Sequence, residues 1–112
     1  MGVKKSLTKK DLAFIKELED LLYERKDLMP SGSYTTTMFK KGLDKIAQKV
    51  GEEAVETVIA SKNTDEKETI AESADLLFHL MLLLAEKEIP LHKVIKLLRD
   101  RHDKGNHKHI GE

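Results

Sequence analysis

An all-α fold is what this sequence predicts, and three observations predict it. Apolar residues recur at three- and four-residue spacing along almost the whole chain, the pattern of amphipathic helices. No segment alternates apolar and polar as a half-buried strand would, and no repeat or low-complexity tract breaks the pattern. Charged residues make up 36% of the chain against a typical ~25%, which suits helices with solvated outer faces. The 39% of hydrophobic residues suffices for a core, and with only five aromatics that core must be mostly aliphatic. The 112 residues are the length of one domain, expected to run over 1–112.

The first helix is expected from Thr8, an N-cap with Asp11 three residues on, to about Asp27. Its apolar stripe is Phe14, Ile15, Leu18, Leu21 and Leu22, and Pro30 with the following Ser-Gly-Ser stops it. A short helix is expected to begin within Tyr34 to Lys41, with Gly42 as a joint. The next runs from Leu43 to Ser61. A third main helix, capped by Thr64 with Asp65 and Glu66 at the positive end of its dipole, continues to about Glu88 before Pro90 breaks it. The last covers Leu91 to His102, and the stretch from about 104 to Glu112 reads as a flexible tail.

These four to five helices look incomplete in one chain. The helix around Ala54 has one apolar face at Leu43, Val50, Ala54 and Val58 and a second, nearly opposite, at Val55 and Ile59. The helix after it is apolar nearly all round between Ala74 and Ala85, as a buried helix is. A homodimer that completes a four-helix core is the expected remedy.

Composition also excludes. Twenty basic against twenty acidic residues give no net charge, which argues against general nucleic-acid binding. The absence of cysteine excludes disulfides, thiolate zinc and thiol catalysis. The longest apolar run, Leu80 to Ala85, is six residues where a membrane span needs about 20. The N-terminal segment lacks a signal-peptide core, so a soluble cytoplasmic protein is expected.

Charge is balanced overall but not locally: Glu52 to Asp75 holds eight acids and two lysines. Two acidic turns carry the chemistry. Glu53 and Glu56 are three apart, as are Glu72 and Asp75, so each pair shares a helix face. Fifteen residues separate Glu56 from Glu72, enough for a helical hairpin that sets the pairs face to face. Carboxylates converging beside an apolar core resist ionisation unless a cation neutralises them. Oxygen-only ligands point to Mg²⁺ or Mn²⁺ rather than zinc. Lys49, one turn before Glu53, is placed either to meet a substrate phosphate or to pair with Glu53. Acids at helical spacing are also how a solvated face is built, and spacing alone does not decide.

At this point the residues resemble a family. Ser33-Tyr34-Thr35, Phe39, Gly42, Ile46, the run Lys49 to Glu56, Ala60, Glu72, Ala74 to Leu77, His79-Leu80 and Leu83-Leu84 together resemble phosphoribosyl-ATP pyrophosphatases. The resemblance runs from about Leu18 to Arg101 and sits within the MazG-like all-α nucleoside triphosphate pyrophosphatases. It implies a MazG-like helical bundle that hydrolyses phosphoribosyl-ATP to phosphoribosyl-AMP and pyrophosphate, the second step of histidine biosynthesis. It implies Mg²⁺ at Glu53, Glu56, Glu72 and Asp75, with Glu52 orienting water or a ligand. Glu52, Glu53 and Glu56 become the catalytic candidates, and Lys49, Ser33, Tyr34, Thr35 and His79 the substrate-binding ones. His79 on an apolar helix is also what a satisfied interior histidine looks like. Arg99 and Arg101 are weaker phosphate candidates, and His107 and His109 read as tail. In many organisms the enzyme is fused to a zinc-dependent cyclohydrolase, and a chain without cysteine is expected to be the stand-alone form. The rivals are a housekeeping NTP or dUTP pyrophosphatase and a non-catalytic helical module.

Overall fold

Five helices form, and the described residues, 6–105 of the computed structural model, contain no strand. α1 spans Lys9–Leu28 behind the expected capping box, in which Thr8 Oγ1 accepts from Asp11 N at 3.1 Å and Thr8 N donates back to Asp11 at 2.9 Å. Met29 ends it in the left-handed region at φ 48°, its N–H donating to Arg25 O. α2 spans Tyr34–Lys41 and α3 Leu43–Ala60, joined at Gly42, whose φ of 91° suits a residue without Cβ. α4 spans Glu66–Glu86 and α5 Leu91–Asp103. The expected tail lies, from residue 106, outside the described residues, as do His107 and His109.

Two boundaries differ from expectation. α4 is capped by Asp65, whose Oδ1 accepts from Lys67 N at 2.9 Å, and not by Thr64. A carboxylate at the cap also meets the positive helix end, an advantage the threonine lacks. α4 stops at Glu86 rather than Glu88 because Glu88 turns left-handed, its N–H and that of Ile89 donating back to Ala85 O and Leu84 O at 3.0 and 2.9 Å, and Lys26 of α1 meets the final carbonyls. The ammonium donates to Ala85 O at 3.2 Å and to Glu86 O at 2.9 Å. The chain then reverses through Glu88 at φ 56°.

α3 and α4 form the most closely packed pair, a helical hairpin against which α1 and α2 lie. Leu22, Met38, Phe39, Ile46, Met81, Leu82 and Ala85 make the core, mostly aliphatic as composition requires. In α1 the expected stripe contributes Leu22, with Ile15 and Leu18 packed beside it, while Phe14 and Leu21 stay exposed. In α3 the buried face runs through Ile46, Glu53 and Ala60, whereas Leu43 and Val58 of the expected face are exposed. α5 buries no residue and is tied to α1 by Glu19, which accepts from Leu91 N at 2.7 Å where Pro90 offers no side-chain cap.

Candidate functional site

The acidic turns meet across the α3–α4 hairpin. One carboxylate oxygen each from Glu53, Glu56 and Glu72 can be chosen so that all three lie within 4.8 Å of one another. Glu53 is 5% exposed, Glu72 half-buried and Glu56 exposed. Glu53 sits one heptad before buried Ala60 and one after buried Ile46, so helical periodicity gives it a core position. Asp75 does not join this three-residue group and stands on the exposed surface of α4, its charge still felt at Tyr34.

The electrostatics of the trio are unbalanced. Glu53 Oε1 and Glu72 Oε1 are buried without a hydrogen-bond partner. Hydrogen bonding to Glu72 and Glu53, and their negative charges, push the Glu56 carboxyl up to about 7. Burial pushes Glu53 up, but hydrogen bonds from Lys49 and Glu56 and the Lys49 charge outweigh it and leave Glu53 below the ordinary carboxylate value. Two buried oxygens without donors, beside an acid that resists ionisation, make a set that a cation would neutralise. The donor set, all carboxylate, fits a hard divalent ion.

Lys49 Nζ lies 3.2 Å from Glu53 Oε2 and 3.5 Å from Glu52 Oε1, which is the ion-pair placement weighed from the sequence. Its hydrogen bond to Glu53 raises its pKa and holds it charged. Glu52 is exposed and accepts from Gln48 Nε2 at 2.7 Å. With Gln48, Gly51, Val55 and Glu56 it borders an open groove of about 540 Å³.

α2 reaches the site through one contact. Tyr34 Oη lies 2.8 Å from His79 Nε2, and His79 Nδ1 lies 2.7 Å from Asp75 O. A carbonyl can only accept, so Nδ1 carries the ring proton and Tyr34 donates to Nε2. His79 is thus the satisfied interior residue (6% exposed), bonded to the Asp75 backbone rather than its carboxylate. Tyr34 remains half-exposed, Thr35 is buried, and Ser33 caps α2 by accepting from Thr36 N. Arg99 lines a separate groove between α1 and α5 that shares no residue with the trio. Sequence reasoning missed Arg25, which donates to Ser33 Oγ at 2.9 Å. The available signal was its position in the last turn of α1, just before the Pro-Ser-Gly reversal.

Fold and site together define a class: an all-α hairpin bundle presenting acidic turns from two facing helices. Within it, residues 15–102 match the model of the phosphoribosyl-ATP pyrophosphohydrolase family, and the chain belongs to that family. It is 50% identical over 91 residues to the phosphoribosyl-ATP pyrophosphatase of Leptospira biflexa, covering 81% of this chain and 99% of that protein. It is 49% identical over 90 residues to the phosphoribosyl-ATP pyrophosphatase of Clostridium botulinum, covering 80% and 82%. It is 53% identical over 88 residues to the histidine biosynthesis bifunctional protein HisIE of Halalkalibacterium halodurans, covering 79% of this chain but 42% of that one. The chain thus spans under half the length of the bifunctional relatives it matches. Among the described residues no helix is long and apolar enough to cross a membrane.

Proposed function

We propose that this protein hydrolyses phosphoribosyl-ATP to phosphoribosyl-AMP and pyrophosphate, the second step of histidine biosynthesis, with Mg²⁺ as cofactor and Mn²⁺ as a substitute. The observation that carries the reading is the Glu53, Glu56 and Glu72 trio with its two donorless buried oxygens, in a chain of this family. These three would hold the ion, with Asp75 added by the resemblance. When bound, the ion polarises the phosphate chain and lowers the pKa of a water.

The chain's own residues do the rest. Lys49 keeps Glu53 ionised and offers its ammonium to a phosphate oxygen. Glu52, tethered by Gln48 beside the open groove, orients water at the rim. Tyr34, fixed by His79, presents a half-exposed ring and the Ser33 turn to the nucleotide. Thr35 and His79, both buried, support that surface from below.

The working unit in this reading is a cytoplasmic homodimer of one domain per chain. Val55, Val58, Ile59, Leu77 and Leu80 form unpartnered apolar surface on the hairpin. A radius of gyration of 15.8 Å, against about 13 Å for a compact domain of this size, supports a bundle that a second copy fills. The test is pyrophosphate release with Mg²⁺ from phosphoribosyl-ATP, dUTP and ATP in parallel. Preference for phosphoribosyl-ATP is expected. Preference for dUTP would favour a housekeeping enzyme, and no release from any would favour a non-catalytic module.

A further inference from the structure

The end of α1 and the start of α2 enclose a cleft of about 440 Å³ lined by Glu24, Arg25, Leu28 and the segment from Pro30 to Ser33. Arg25 is half-buried there. Its guanidinium has five N–H donors, and among the described residues its one acceptor is Ser33 Oγ at 2.9 Å. It forms no ion pair with any described carboxylate, although Glu24 stands next to it on the same wall. A half-buried arginine bonded to one serine hydroxyl has guanidinium donors to spare.

Its position makes the arrangement costlier. Ser33 is also the N-cap of α2, accepting from Thr36 N, so Arg25 is pinned at the positive end of a helix dipole. The first turn of α2 contains no acid, and its basic residues lie in the last turn. Arg25 also lies in the last turn of α1, whose negative end favours it, so the uncompensated positive charge of the cleft is that of the first turn of α2 and the spare guanidinium donors. An anion in the cleft relieves both charges and accepts from the unused guanidinium donors in the two-pronged geometry suited to phosphate.

The cleft is linked to α4 through Ser33. Ser33 is followed by Tyr34, which reaches His79, which holds the Asp75 carbonyl. We infer that Arg25 and Ser33 form a second anion site that receives a phosphate monoester, the terminal phosphate of the ribose carried on the substrate's adenine. This assignment rests on the reading of phosphoribosyl-ATP as substrate. ATP and dUTP have no such group, so the cleft selects the substrate at the end far from the bond that breaks, and Arg25 acts through binding alone.

Two measurements test it on the whole chain. In kinetics, Arg25→Met should raise KM for phosphoribosyl-ATP about 10- to 100-fold, the loss of a charged hydrogen-bond partner, with kcat within about threefold. Inhibition by ribose 5-phosphate should weaken by a similar factor, inhibition by pyrophosphate should not change, and Arg25→Lys should recover part of the loss. A merely structural Arg25 would loosen the Ser33 turn and Tyr34 with it, lowering kcat and weakening pyrophosphate inhibition together; that pattern overturns the proposal. So does an unchanged KM in Arg25→Met. In the second measurement, ribose 5-phosphate titrated into the wild-type protein should shift the amide resonances of residues 31–35, and the shifts should vanish in Arg25→Met. If the wild type fails to turn over phosphoribosyl-ATP yet shows these shifts, the substrate reading falls and the anion site stands. If turnover is normal and the shifts are absent, the anion site falls alone.

Discussion

Metal binding should release a proton, and the amount is set by Glu56. Its carboxyl sits at about 7 because Glu72 and Glu53 share its hydrogen bonds and oppose its charge. A ligand carboxylate must be ionised, so a divalent ion displaces whatever proton Glu56 holds. That proton amounts to about 0.9 at pH 6, about 0.5 at pH 7 and about 0.1 at pH 8. Apparent Mg²⁺ affinity should accordingly fall toward tenfold for each pH unit below 7. Calorimetric titration in buffers of different ionisation enthalpy reads the proton count directly, and Glu56→Gln should abolish the release. The metal-free protein has its own pH dependence. Glu56 binds a proton in the folded state between its ordinary value of 4.5 and about 7, whereas the unfolded chain does not. Stability from this group is therefore greatest at the acid end of that window and is lost as pH rises through about 7. Thermal midpoints of the metal-free protein should fall from pH 5.5 to pH 8 more steeply in wild type than in Glu56→Gln. A release at pH 6 below about 0.2 protons would refute the shared-proton account of the trio.

Glu53→Leu should eliminate Mg²⁺-dependent hydrolysis yet raise the melting temperature of the metal-free protein, since an apolar side chain suits a position that is 5% exposed; retained turnover would remove Glu53 from the site. Ile59→Glu, at a residue 64% exposed in the single chain, should dissociate the dimer in sedimentation experiments while the monomer fold survives. A wild-type protein that sediments as a stable monomer would end that reading. Lys26→Met should cost about 1–2 kcal/mol in chemical unfolding, because the Ala85 and Glu86 carbonyls lose a charged donor. A change under about 0.3 kcal/mol would mean that water replaces the ammonium without loss.

Local signals made the helices legible. Thr8 with Asp11, Ser33 before Tyr34, Gly42 and Pro90 each act within a turn, and the structure follows them to within a residue or two. Where expectation failed, a distant partner decided. The last carbonyls of α4 are met by Lys26, about sixty residues earlier. Which face of α3 is buried depends on how α4 and α2 pack against it, so Val58, expected on an apolar face, is exposed while Ala60 is buried. The trio was legible because i,i+3 spacing on two helices of a hairpin leaves few other arrangements. The place of Asp75 outside that trio was not, because spacing along α4 does not fix how near each of its carboxylates comes to those of α3. The Tyr34–His79 contact spans forty-five residues and leaves no local trace.

The buried stripe of α3 places the proposed metal site and the proposed dimer face on one hairpin. Ile46, Glu53 and Ala60 are spaced by sevens, and packing alone would fill the middle position with a leucine or alanine. A glutamate there breaks the rule that every local choice should favour the fold, and such breaks are found where function outweighs stability. The damage is contained by two neighbours: Lys49 pairs with one oxygen and Glu56 can lend a proton. The opposite edge of the same helix gives up further stability by exposing Val55, Val58 and Ile59. A divalent ion would satisfy the first deficit and a second copy of the chain the second. Each would bind the folded hairpin and not the unfolded chain, so each would stabilise the protein by mass action. Metal and partner should therefore raise the melting temperature separately, and together by about the sum of the two shifts if the faces they occupy are independent.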